Sequence, residues 1–439
     1  MSVKDAIFTG SREQVIPEEV FLPILGEAAT GLLSLRGKIE LGGEREWSRL
    51  LISRMLKEVH AVRSVLVDYD AQENRAYSYL VELVAGIRCF GTVIYILKHL
   101  RARYLRSPLH GTLTWEEEFE KDQTETITCC ANTLRGLFTE LLAECELLGI
   151  VLPSVIPDER EDEEGDTSVR QHLPHNLDEG DMHGEMDKVA QVATDFLRVA
   201  DLYGALDAGR LTTYPALREY VLGRLDEEQS RTFEAMVHTI QSKYDTYVQY
   251  TLSESQDSDL RRLRSVISLS LHLFEVTTYL VHFYERHEND IRSETTKERI
   301  ARVVDKFAVL DRAVNHAFRT AGRFMEEGRS ICLRLVPRYT SIRELRFAIP
   351  ADVRLHIRPA ALIASIVSHH GTPVTMKMGA GECDAGSVTD VIFLAGSNYD
   401  SPEVTFSGDE RPLNDIQVLF EVGLYDENHQ DVKARLPYL

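Results

Sequence analysis

The sequence predicts a multidomain protein: an all-α helical bundle region followed by a small α+β open-faced sandwich. Three observations carry this. At 439 residues the chain exceeds one ordinary hydrophobic core. Apolar residues recur at intervals of three and four through most of its length, with no alternating pattern before residue 330. Past Arg338 alternation appears in short pieces between helical ones.

The first helical pattern runs from Glu44 to Asp70, with Trp47, Leu50, Leu51, Met55, Leu56, Val59, Val62 and Leu66 spaced by three and four. Ala76 to Tyr104 continues it through Leu80, Val84, Ile87, Phe90, Ile94 and Leu97. Ile127 to Leu148 forms a third helix, stopped by Gly149 and Pro153. Residues 1–156 therefore read as a helical bundle region. Between Pro157 and Lys188 twelve acids face three Lys or Arg and apolar residues are sparse, which predicts an acidic flexible linker over 157–188. Its histidines His172, His175 and His183 read as solvated. Helical periodicity resumes at Met186, so 189–337 is a second helical region that can pack with the first as one domain. Val237–His238 repeats Val59–His60, and Phe274-x4-Tyr279 repeats Phe90-x4-Tyr95, a faint echo of duplication.

The C-terminal unit spans 341–430. Arg343 to Ile349 alternates like a strand, and Pro359 to His370 reads as a helix with Gly371 past its end. Pro373 to Met378 alternates again, and Gly379 to Gly386 holds turns and a short strand. Ser387 to Ala395 is a short helix, Glu403 to Phe406 a strand, and Pro412 to Tyr425 an amphipathic helix.

Charge excludes some functions. Lys plus Arg number 49 against 70 for Asp plus Glu, a formal net charge of −21. Broad nucleic-acid binding needs a positive surface, as does docking on an anionic membrane, which leaves only local basic patches. The most apolar stretch, Tyr79 to Ile96, is interrupted by Glu82 and Arg88, so no membrane insertion is expected. MSVKDAIFTG has no signal-peptide pattern, and six scattered cysteines without a CxxC pair suit the cytoplasm. Glu-x-x-His, His-Glu-x-x-His, Walker and Gly-x-Gly-x-x-Gly patterns are absent, so neither metal nor cofactor is expected. The densest group of potential ligands, His282, Glu285, His287 and Glu288, reads as the charged end of an amphipathic helix.

One segment carries chemistry. Leu355-His356-Ile357-Arg358-Pro359-Ala360-Ala361-Leu362 places a histidine after a strand and before a helix. A neutral imidazole is a competent nucleophile near pH 7, and a helix start offers N–H groups to a phosphate. Arg358 supplies charge-assisted hydrogen bonds, and Pro359 pre-sets helical φ. The segment resembles the active-site sequence of HPr, the histidine phosphocarrier of the bacterial phosphotransferase system, with its His-x-Arg-Pro-Ala pattern. Ser387, 31 residues after His356, starts the second helix as the family's regulatory serine does.

The resemblance covers about Arg343 to Tyr425. It implies a phosphocarrier or phosphorylation-dependent regulator rather than a stand-alone enzyme. His356 would carry the phosphoryl group and Arg358 would stabilise it, while Ser387 would be a regulatory phosphorylation site for an HPr kinase. The implied partners are an enzyme I-like donor, which would use phosphoenolpyruvate and magnesium, and an enzyme IIA-like acceptor. Three departures support an alternative: Arg354 and Asp390 stand where the family has glycine, and Thr389 where it has Met. The alternative is a non-catalytic interaction scaffold that retains an HPr fold. The helical echo suggests a further alternative, a PhoU-like helical sensor. His60 and His238 are other histidines that a bundle could phosphorylate.

Overall fold

The computed structural model describes residues 15–41, 47–153, 182–206, 209–288, 294–349, 355–422 and 429–439. It is mostly helical (75%), with one small antiparallel sheet near the C-terminus. Five helices precede residue 150: α1 (Glu18–Ser34), α2 (Arg36–Leu41), α3 (Arg49–Asp68), α4 (Ser78–Leu105) and α5 (Glu116–Leu147). The Ser48 hydroxyl caps α3 by accepting from the Leu51 N–H at 3.0 Å. Eight more follow: α6 (Met182–Gly204), α7 (Tyr214–Gly223), α8 (Glu227–Tyr247), α9 (Leu252–Gln256), α10 (Ser258–Glu288), α11 (Glu294–Ala301), α12 (Lys306–Asp311) and α13 (Arg319–Tyr339). A π-helical segment, Arg312–Phe318, joins α12 to α13.

Helices α4 and α10 run antiparallel through the centre, where Phe90 meets Phe283 at 4.9 Å and His99 meets His272 at 5.0 Å. Both are long and apolar enough to cross a membrane by length and composition, and in this fold both are mostly buried. The charge that interrupts α4, Glu82, is buried against Arg286 of α10 at 3.4 Å. One continuous cluster runs from Phe21 to Leu335, so both helical regions share a single core. In both Val–His echoes the valine is buried and the histidine exposed.

In the helical region two boundaries differ from the sequence reading. Helix α5 starts eleven residues before Ile127, because its first turns bury polar side chains that find partners. Gln123 donates to the Leu97 carbonyl at 3.3 Å, and Thr126 to the Asp122 carbonyl at 2.8 Å. Apolar periodicity cannot show such a face. Helix α6 starts at Met182, so residues 182–188 are helical rather than linker; residues 157–181 lie outside the described residues.

Thr126 also fixes a buried histidine. Its hydroxyl proton is used on Asp122, so it accepts from Nδ1–H of His316 at 2.8 Å. Burial, with Arg312 adding to it, pushes the His316 pKa down to about 3. The folded pKa lies below the unfolded value of about 6.5. This contribution to stability is therefore complete above about pH 6.5 and is lost as pH falls toward 3. Between pH 7 and pH 5 it should cost about 2 kcal/mol. Urea unfolding at both pH values should show that loss diminished in His316→Gln. An undiminished loss would assign the acid sensitivity to other groups.

The second unit begins two residues after α13. Its elements are β1 (Ile342–Ala348), α14 (Ile357–His370), β2 (Val374–Met378), β3 (Gly381–Asp384), α15 (Val388–Ser397), β4 (Glu403–Asp409), α16 (Glu410–Val422) and α17 (His429–Arg435). The strand order is β1-β4-β2-β3, antiparallel throughout, with Phe406 opposite both Leu345 and Met376. Val374, Met376, Met378, Val404 and Phe406 enter a separate core with residues of α14, α15 and α16. The alternate residues Thr375, Lys377, Thr405 and Ser407 occupy the more open face. This unit does not end at residue 430: Val432 and Leu436 are buried in its core, and Tyr438 stacks on His369 at 3.7 Å. One core residue in a seven-residue helix, with Leu436 just past its end, is too little to show in the sequence.

At the junction, Asp409 is buried and accepts from the Ser341 N–H at 3.2 Å and from Arg411 Nε at 2.6 Å. The Arg411 guanidinium also reaches the Tyr339 carbonyl at 3.5 Å. On the helical side Arg338 pairs with Asp257 at 2.7 Å and Arg334 with Asp259 at 2.9 Å.

Candidate functional site

The first turn of α14 positions the candidate nucleophile. His356 is the N-cap in an extended conformation (φ −99°, ψ −169°), and its carbonyl already accepts from the Ala360 N–H at 3.1 Å. Its side chain is exposed, with Nδ1 accepting from the Arg358 N–H at 3.4 Å. Nδ1 therefore faces the helix start, where N–H groups of the first turn lack partners within the helix. Pro359 is buried in that turn and Ala360 fully so, which fixes α14 against the sheet beneath. The helix ends at Gly371, whose φ of +70° suits glycine and where a Cβ would lie 2.7 Å from Gln191 of α6.

A cavity of about 470 Å³ lies beside His356. Apart from the imidazole its lining side chains are mainly apolar, including Leu355, Met378, Ile392 and Tyr399. Around it, Ile357, Phe393 and Tyr399 are 68%, 77% and 74% exposed, the solvent-facing apolar rim of the site. The sequence reading missed this rim. A signal was present, since Val391, Leu394 and Ala395 fill the buried face of α15 and leave Phe393 out of phase.

Ser387 is the N-cap of α15, where its hydroxyl accepts from the Asp390 N–H at 3.3 Å. Thr389 and Asp390 are exposed in the first turn of that helix. Arg354 lies outside the described residues.

The other candidates are not brought together. His282 Nδ1 meets Glu227 at 2.6 Å, Glu285 accepts from the Glu227 N–H at 2.9 Å, and His287 turns to Glu82 at 3.8 Å. These ties join helices rather than converge on one point. His60 and His238 stand on outer faces of α3 and α8. His172 and His175 lie outside the described residues, as does the side chain of His183. One group with ligand spacing occurs among the described residues, His110, Glu116 and Glu120, within 4.8 Å of one another. Glu116 is already engaged by the Gly111 N–H at 3.0 Å. All six cysteines are free thiols.

Comparison of the chain with protein-family models, curated proteins and solved structures gives no match.

Proposed function

We propose that this protein is a phosphocarrier or phosphorylation-dependent regulator of the HPr type, phosphorylated on His356. The observation that carries the reading is His356 at the start of α14, its Nδ1 turned toward the helix N-terminus. In the transfer step the long hydrogen bond from the Arg358 N–H opens, and the Nδ1 lone pair it frees attacks the donor's phosphorus. An N–P bond forms, the bond from phosphorus to the donor's leaving group breaks, and that group departs with the electron pair. Nδ1 carries no proton in the attacking tautomer, so Nε2 holds the ring proton. The added phosphate, close to dianionic, would be favoured by the helix N-terminus and by the guanidinium of Arg358.

Further support comes from the element order strand, helix, strand, strand, helix, strand, helix, with Ser387 opening the second helix as the resemblance implies. The apolar rim suits a protein donor such as an enzyme I-like phosphoprotein, with an enzyme IIA-like protein as acceptor. Ser387 would be the target of an HPr kinase, where phosphate would meet the free N–H groups of α15. Cytoplasmic residence belongs to this reading. The scaffold alternative is favoured by Asp390, an exposed charge on the helix that carries Phe393. Incubation with phosphoenolpyruvate and purified enzyme I separates the two. Acid-labile phosphate on the chain supports transfer; none with several enzyme I sources supports the scaffold.

Arg358→Lys should slow transfer from phosphorylated enzyme I about tenfold to hundredfold, because an ammonium cannot copy a bidentate guanidinium contact. Arg354→Lys should have the smaller effect. An initial-rate assay checks both, and equal rates for wild type and Arg358→Lys would remove Arg358 from the mechanism.

A further inference from the structure

A cavity of about 600 Å³ opens between the C-terminal end of α4 and the N-terminal half of α10. Five arginines line it: Arg49, Arg103, Arg106, Arg261 and Arg264. The chain's net charge is −21, yet this cavity has one carboxylate on its wall, Glu254. That carboxylate is already engaged, accepting from the Tyr244 hydroxyl at 3.0 Å and the Tyr250 N–H at 2.7 Å. Arg264 has a partner in Asp245 at 3.3 Å, and Arg103 donates to the Ser268 hydroxyl. Neither Arg49 nor Arg261 has a carboxylate partner among the described residues, and Arg49 Nε is buried without a hydrogen bond. His99 adds a ring that burial, His272, Arg103 and Arg49 hold neutral, its pKa pushed down to about 4.

Like charges gathered in one cavity repel, and low-dielectric walls intensify the field they make. An anion removes that repulsion. Guanidinium is the side chain suited to phosphate oxygens, through paired N–H donors. One phosphoryl group accommodates about two such contacts, the number that Arg49 and Arg261 can supply between them. The volume falls within the range of about 300–1,000 Å³ usual for small-molecule sites.

We propose that this cavity in the helical region binds a small molecule or headgroup bearing one or more phosphoryl groups. The site is separate from His356, and the proposal stands whether or not His356 is phosphorylated.

The test is calorimetric titration of the full chain with magnesium-free inorganic tripolyphosphate at low ionic strength. Saturable one-site binding that weakens with added salt is expected. Arg261→Gln, at an exposed position that cannot upset folding, should raise Kd about tenfold, as should Arg49→Gln. Arg231→Gln removes the same charge elsewhere, from the surface pair with Glu227, and should change Kd less than about twofold. A second arm uses vesicles carrying a bisphosphorylated phosphoinositide. Capture by them that Arg261→Gln abolishes, with no binding of tripolyphosphate, places the phosphates on a lipid headgroup and upholds the site. No binding of either probe at millimolar concentration overturns the proposal. So does unchanged affinity in both arginine variants, or binding of poly-glutamate alone.

Discussion

His356→Ala abolishes enzyme I-dependent incorporation of acid-labile phosphate: that is the expected result with the largest effect. Removing the imidazole removes the nucleophile, and no rate remains to be rescued by the surrounding charges. The fold should survive, because the side chain is exposed and its one capping contact is long, at 3.4 Å. A lost cap of this kind costs about 1 kcal/mol at most. Phosphate incorporation and a thermal melt on the same sample give both readouts. Undiminished labelling would move the phosphorylation to another accessible histidine, with His60 and His238 the first to examine.

Arg411→Ala should produce the largest loss of stability. It leaves the Asp409 carboxylate, 1% exposed, without its cation at the root of the C-terminal unit. Breaking a buried pair from one side typically costs 3–5 kcal/mol; Arg411 itself is 20% exposed, so about 3 kcal/mol is expected. The double variant Asp409→Asn/Arg411→Met should recover most of that, since an amide oxygen can still accept from the Ser341 N–H at lower desolvation cost. Denaturant unfolding of the three proteins checks this. A double variant no better than Arg411→Ala would mean that the arginine acts through its packing and its contact with Tyr339.

Much of the C-terminal unit was legible because its elements follow local rules. Pro359 in a first turn, Gly371 beyond the last, and Ser387 as a cap each carry their position in their own chemistry. The elements that escaped were those whose faces are not simply apolar. Helix α5 has a buried Gln and a buried Thr in its early turns, and α17 contributes only Val432 to the core, with Leu436 just past its end. The candidate histidine could be read because its neighbours in sequence are its neighbours in space. The rim of Ile357, Phe393 and Tyr399 was missed as a whole because it assembles from two helices and a loop, although Phe393 alone stands out of phase on α15. The arginine cavity is the extreme case. Arg49, Arg103 and Arg261 come from α3, α4 and α10, and each alone looks like an ordinary solvated charge.

The antiparallel pairing of α4 with α10 has a consequence for biosynthesis. Three helices cover α4; α3 and α5 are its neighbours in sequence, but α10 begins only at Ser258, about 150 residues after α4 ends at Leu105. At about 5–20 residues per second, the ribosome needs roughly ten to thirty seconds to deliver it. Throughout that interval the nascent chain carries a 28-residue apolar helix whose α10-facing side is bare, although α3 and α5, which cover its other sides, have already been made. To the factors that scan emerging chains, such a helix has the length and composition of a membrane span. The newborn protein is thus most exposed to mistargeting and aggregation before its second half is translated, while the α10-facing side of α4 is bare.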